Sequence, residues 1–190
     1  VWFAALGGFE NPESADLFAR FCDYAVRAIG PYTALAATFN EPQLGILLQW
    51  MLPDFVVAGM QQAMVEAAKA CGTASFSSVQ FGNQAKMLPN MVAALRKGYE
   101  AIKSGPGDFP VGVTLAIQDD WAHGENSRRD EKRAQVYAPW LEVAKASSDF
   151  VGVQNYSRTR IDAKGTMHPE AGVELNQQGE EYWPSSLEES

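Results

Sequence analysis

The sequence predicts an α/β fold with parallel strands. Three observations predict it. Helix-like and strand-like segments alternate along the 190 residues, the order from which parallel sheets are built. The three strand-like runs, about Ala34 to Phe39, Val111 to Ile117 and Asp149 to Ser157, are apolar along their length, as strands covered on both faces are. Each run also turns polar at its C-terminal end: Asn40-Glu41 after the first, Gln118-Asp119-Asp120-Trp121 after the second, Gln154-Asn155-Tyr156 in the third. Polar side chains gathered there mark the ligand-binding face of an α/β barrel or an open sheet.

Asn11-Pro12-Glu13 opens the first helix: Asn caps, Pro suits the first helical position and Glu complements the helix dipole. Leu17, Phe18, Phe21, Cys22, Ala25, Val26 and Ile29 then recur at three- and four-residue steps as one apolar stripe. Gly30-Pro31 ends it. After the first strand, Leu44 to Leu52 is apolar, Pro53-Asp54 breaks it, and Val57 to Ala70 has helical character. The stretch GTASFSSVQFGN is small and polar, hence loop. A further helix is expected from about Pro89 to Lys103, with Met91, Leu95 and Ile102 facing inward. SGPGDFP is a turn cluster before the second strand. The polar run QDDWAHGENSRRDEKR reads as loop, leading into a helix that ends near Ala146. Its charges, Arg128 to Arg133, read as a solvated helix start.

Composition bounds the chemistry. Hydrophobic residues make up 46% and charged residues 20%, enough for one domain with a core. A net charge of −8 argues against nucleic acid or anionic lipid as a partner. Cys22 and Cys71 form no disulfide framework and no zinc signature, and His123 and His168 have no partner at ligand spacing. No metal or other cofactor is expected. No run of 18 apolar residues suggests a membrane span. Both ends, VWFAALGGFE and YWPSSLEES, read as loop. Residues 1–190 are therefore expected to be a single, incomplete domain cut from something longer.

Glu41 is the residue to weigh first. A carboxylate at the mouth of a buried strand is partly desolvated, which favours its protonated form. A protonated Glu can donate to a leaving group and, once ionised, take a proton from water. Asn40 offers an amide to a substrate hydroxyl, and Pro42 ends the strand pairing. The bland alternative is a Glu that caps the next segment or pairs with a lysine. Trp121 either stacks on a sugar face or packs beneath its loop. Trp50, Trp140 and Trp183 read as core or loop anchors.

TFNEP, Thr38 to Pro42, resembles the acid/base motif of the family 1 glycoside hydrolases, retaining β-glucosidases and β-galactosidases. GGFENPESADLFARFCDYAVRAIGP resembles the segment before that motif, VGVTLAI the fifth barrel strand, DFVGVQNYS the sixth-strand motif, and GEEYWPSSLEE the stretch before the seventh strand. The likeness runs nearly end to end. It implies strands four to six of a (β/α)8 TIM barrel, and a small β-glycoside as substrate. It implies Glu41 as general acid/base and Asn40 as the partner of the sugar 2-hydroxyl. Tyr156 aligns with a tyrosine that positions the nucleophile. Three departures stand out. Gln154 occupies the place of an Asn, Asn155 that of a Tyr, and Ala116 that of an Asn facing the leaving group. Gln154 keeps an amide for a substrate contact. Gln118, Asp119 or Trp121 are the candidates for the contact that Ala116 cannot make. The family's nucleophile motif, Thr-Glu-Asn-Gly, is absent from these residues, so the chain alone is expected to be inactive. A carbohydrate-binding barrel without catalysis is the competing reading.

Overall fold

The computed structural model describes residues 1–189. A short helix α1 (Trp2–Ala5) and a 3-10 turn at Gly8–Glu10 precede helix α2 (Ser14–Ile29). Helix α2 begins later than the Asn11-Pro12-Glu13 signal suggests. Asn11 Oδ1 accepts from the Glu13 amide at 2.9 Å, a local turn that holds the chain out of the helix for a few residues. Strand β1 (Ala36–Asn40) is followed by helices α3 (Leu44–Met51) and α4 (Asp54–Cys71), the latter ending on Gly72 in the left-handed conformation, φ 64°. Helix α5 runs from Gln84 to Lys103, five residues longer at its start than expected. Asn83 caps it, accepting from the Lys86 amide at 3.2 Å. Pro89 therefore lies inside the helix, where it forgoes one backbone bond.

Strand β2 (Val111–Ala116) leads into a second strand, β3 (Asp119–Ala122), where the polar sequence reads as loop. The expected single helix is two, α6 (Arg129–Val136) and α7 (Ala138–Ser147), parted at Tyr137 with Pro139 in the first turn of α7. Strand β4 (Val151–Gln154), strand β5 (Arg158–Ile161) and a last helical turn, α8 (Ser186–Glu189), complete the chain.

All strand pairs are parallel. The main sheet has the order β1-β2-β4, and β3-β5 form a second sheet. The second sheet prolongs the first: β2 continues into β3, and β4 into β5. The α/β reading holds, and the three strands of the main sheet are neighbouring staves of a (β/α)8 barrel that does not close within the described residues.

Two irregularities shape the sheet. Register slips between Ala37 and Asn40 of β1. Further on, residue 116 pairs with 154 but 119 with 158, an offset of 38 that becomes 39. The one extra residue lies in the Asn155-Tyr156-Ser157 link. Extra residues of this kind re-aim side chains, and they are frequent beside functional sites.

Central strand β2 is buried except at the half-buried Thr114, with Val111, Val113 and Leu115 fully covered. Helix α5 covers it with Met87, Met91, Ala94 and Leu95, and α6 and α7 add Val136 and Trp140. Phe39 of β1 stacks on Phe18 with centroids 4.5 Å apart and meets Phe9 edge-on at 5.5 Å. These rings wedge the end of β1 against α2, immediately before Asn40 and Glu41. Edge strands β1 and β4 are not covered in the same way: Val151 and Val153 are partly exposed.

Candidate active site

The site is built where β1 stops. Glu41 has φ 51°, one of two non-glycine residues with positive φ among those described. A left-handed glutamate costs about 1–2 kcal/mol relative to the right-handed form, and such strain gathers at functional positions. Three contacts hold it. The Glu41 amide donates to the Thr114 carbonyl at 2.8 Å, extending the ladder one residue past β1. Its carbonyl accepts from the Leu44 amide at 3.1 Å as α3 begins. Gln43, with no exposed surface, donates from Nε2 to the Ala116 carbonyl at 2.9 Å. The turn is thus tied across to the end of β2, with Pro42 buried between.

Four of the five expected site residues meet here. Tyr156 Oη lies 2.9 Å from Glu41 Oε1 and 2.6 Å from Gln154 Oε1. Gln154 Nε2 donates to Asn40 Oδ1 at 2.6 Å. Thr114 Oγ1 donates to the same oxygen at 2.9 Å. With Oδ1 occupied twice, Asn40 presents Nδ2 outward as a donor, suited to a hydroxyl oxygen. The hydrogen bond to Glu41 is the largest cause, ahead of burial, that pushes the Tyr156 phenol above its ordinary range. Glu41 itself neither caps α3 with its side chain nor pairs with a lysine. Among the described residues no other carboxylate hydrogen-bonds to Asn40, Gln154 or Tyr156. Thr114 is the member that sequence reading missed, because a lone Thr in an apolar strand carries no signal. Gln43 was missed for a similar reason: nothing in its neighbours reveals that it is buried.

The fifth residue, Trp121, lies elsewhere. It stands on β3 with the Arg158 guanidinium carbon over its ring, 3.9 Å from the ring centre, and the same carbon lies 3.3 Å from the centre of the Trp183 ring. Arg158 is buried and ion-paired to Asp119 at 3.6 Å and Glu181 at 3.4 Å. Gln118 is also buried and accepts from Lys132 at 2.8 Å. Asn155 turns away from the site, donating to the Ile117 carbonyl at 2.9 Å. Among the described residues no group of three or more His, Cys, Asp or Glu is placed to hold a metal ion.

No protein-family model matches the chain, and no curated protein matches it. Solved structures do. The apo structure of β-glucosidase 1317 matches 98% of the chain with a TM-score of 0.91 at 32% identity. β-Glycosidase BGL167 matches 98% with a TM-score of 0.85 at 31% identity. The β-glycosidase of the hyperthermophile Thermosphaera aggregans shares the fold over 95% of the chain, TM-score 0.68, at 20% identity. The chain covers 46%, 46% and 40% of these three proteins, so it spans less than half of each. It has the fold of part of a β-glycosidase barrel. No described helix is long and apolar enough to cross a membrane.

Proposed function

We propose that the chain is part of a retaining β-glycosidase of family 1 that hydrolyses β-glucosides or related β-glycosides. Glu41 is its general acid/base. One observation carries the reading: a strained Glu at the C-terminal rim of a parallel stave, hydrogen-bonded to Tyr156 and free of any ion pair among the described residues. Such a carboxyl group can hold a proton for the glycosidic oxygen and then take one from water. Asn40 Nδ2 faces outward beside it, and a bond to the sugar 2-hydroxyl there would strengthen as the ring gains oxocarbenium character. The structural likeness to β-glucosidases supports the substrate class. Retention needs a second carboxylate about 5–5.5 Å from the first. We assign it to a part of the protein outside these 190 residues.

The test is Glu41→Gln in the longer protein. Turnover of an alkyl β-glucoside, whose leaving group needs a proton, is expected to fall by about 10²–10⁴-fold, with sugar binding kept. Unchanged turnover would remove Glu41 from the role. The 190-residue chain alone is expected to be inactive, and saturable, Glu41-dependent hydrolysis by it would overturn the assignment of the nucleophile. A longer protein that binds sugar without turning it over would favour the non-catalytic reading.

A further inference from the structure

In a parallel ladder the bonds are evenly spaced, every second amide of one strand donating to every second carbonyl of the next. Where β1 meets β2, the Glu41 amide donates to the Thr114 carbonyl at 2.8 Å. The next rung would join the amide of residue 43 to the carbonyl of residue 116. The backbone has turned away before it can form. Gln43 already has helical angles, φ −79° and ψ −8°, as the cap of α3. Its carbonyl accepts from the Ile46 and Leu47 amides, both at 3.0 Å. The rung is made all the same, by the side chain of that residue: Gln43 Nε2 donates to the Ala116 carbonyl at 2.9 Å. A side-chain amide stands in for the backbone amide that the turn withdrew from the ladder.

The consequence falls on Glu41, which lies between the Thr114 rung and this substituted one. Its φ of 51° is left-handed, and a non-glycine residue stays there only where its surroundings hold it. The Thr114 rung fixes the turn at Glu41 itself, and the Gln43 rung fixes it two residues later. The backbone between them cannot unwind to the right-handed form without losing one of the two. The Gln43 side chain is fully buried, and its Oε1 makes no hydrogen bond. A buried acceptor without a partner costs stability. For the fold alone, an apolar side chain of the same length would serve as well.

We infer that Gln43 is a positioning residue for Glu41: its side-chain rung to Ala116 holds the left-handed turn that sets where the Glu41 carboxyl stands. The inference rests on the reading of Glu41 as the acid/base. It adds the device that keeps this carboxyl in place when the strand has ended and the helix has begun.

The test compares Gln43→Met with the parent in the longer protein, on two substrates. An alkyl β-glucoside needs a proton from the acid, whereas the leaving group of a dinitrophenyl β-glucoside departs without one. In Gln43→Met the alkyl kcat is expected to fall by about 10²-fold, the effect of a displacement of about 1 Å, with KM little changed. Release of dinitrophenolate in the first turnover is expected to keep the parent rate, and the thermal midpoint to stay close to the parent's. Gln43→Asn keeps an amide that is one methylene too short, and it is expected to behave in the same way. Glu41→Gln is measured beside them. Adding Gln43→Met to it is expected to cost nothing more, because Gln43 acts through Glu41. Parent-like alkyl turnover in either Gln43 variant, an equal loss on both substrates, a Gln43→Met protein that no longer folds, or a further loss in the double variant would each overturn the inference. If Glu41→Gln loses alkyl turnover and Gln43→Met does not, the acid/base reading stands and Gln43 drops out. Unchanged turnover in Glu41→Gln would sink the acid/base reading itself.

Discussion

Lys132 Nζ lies 2.6 Å from Asp120 Oδ1, and neither side chain has exposed surface. Burial pushes the Asp120 carboxyl up and the Lys132 amine down, and each charge opposes the other's shift. The two residues form a mutual condition, because either charge alone would be stranded. Lys132→Met is expected to cost about 3–5 kcal/mol of stability, read from urea unfolding, and adding Asp120→Leu should recover most of that. The single variant also carries a pH signature. Its Asp120 is held above the unfolded carboxyl range, so the native state binds the extra proton. Stability should therefore fall as pH rises through the folded value. A midpoint that rises with pH in Lys132→Met would contradict this. The sequence showed Lys132 only as one charge in a run that reads as solvated. Patterning assigns charges to the surface by default, and it cannot see that Asp120 waits beneath. Asn40 and Glu41 were legible for the opposite reason: they end an apolar strand, where a polar residue needs a purpose. Gln154 and Tyr156 stand at another strand end, and the likeness of DFVGVQNYS to the sixth-strand motif singled them out.

The element that most depends on its neighbours is α5. Gly98 lies where α5 crosses α2, and a Cβ there would sit 2.7 Å from Phe18 Cε1 and 3.2 Å from Cys22 Sγ. Phe18 cannot swing away freely, since its ring is stacked on Phe39. Gly98→Ala is therefore expected to destabilise by about 1–3 kcal/mol, the usual cost of overpacking, despite the better helix propensity of Ala. Thermal unfolding checks this, and an unchanged or raised midpoint would mean that the helices part without cost. At this scale the sequence revealed the helix–strand alternation, because 3.6-residue and continuous apolar patterns both survive in isolation. It hid β3 and β5. Their buried charges, Asp119, Asp120 and Arg158, are neutralised in ion pairs, and Trp121 and Trp183 stack on Arg158. Strands that bury charge rather than apolar side chains leave no periodic trace. The start of α5 was hidden too: Pro89 suggests a first turn, and only the Asn83 cap reveals the real one.

The whole molecule exposes more surface than its size warrants. Its accessible area is 10679 Å², against about 8,900 Å² for a compact monomer of this mass, an excess of about 1,800 Å². Helix α4 contributes, with Ala68 its one buried residue. So do the two outer strands, β1 and β4, each paired on one side within the main sheet. An open parallel edge invites another strand, and Val151 and Val153 place apolar side chains beside the β4 edge, 37% and 46% exposed. The purified 190-residue chain is therefore expected to self-associate as its concentration rises, as measured by sedimentation velocity. Val153→Lys should shift that equilibrium toward monomer without altering the circular dichroism spectrum, because the side chain is already half in solvent and an edge lysine opposes strand addition. If Val153→Lys associates as strongly as the parent, the contact lies elsewhere. The exposed face of α2, where Phe21 and Tyr24 stand 65% and 77% exposed, would then be the surface to charge next. A parent chain that stays monomeric at every concentration would show that these edges are too twisted or too short to pair, and that the excess area costs the isolated chain nothing in solubility.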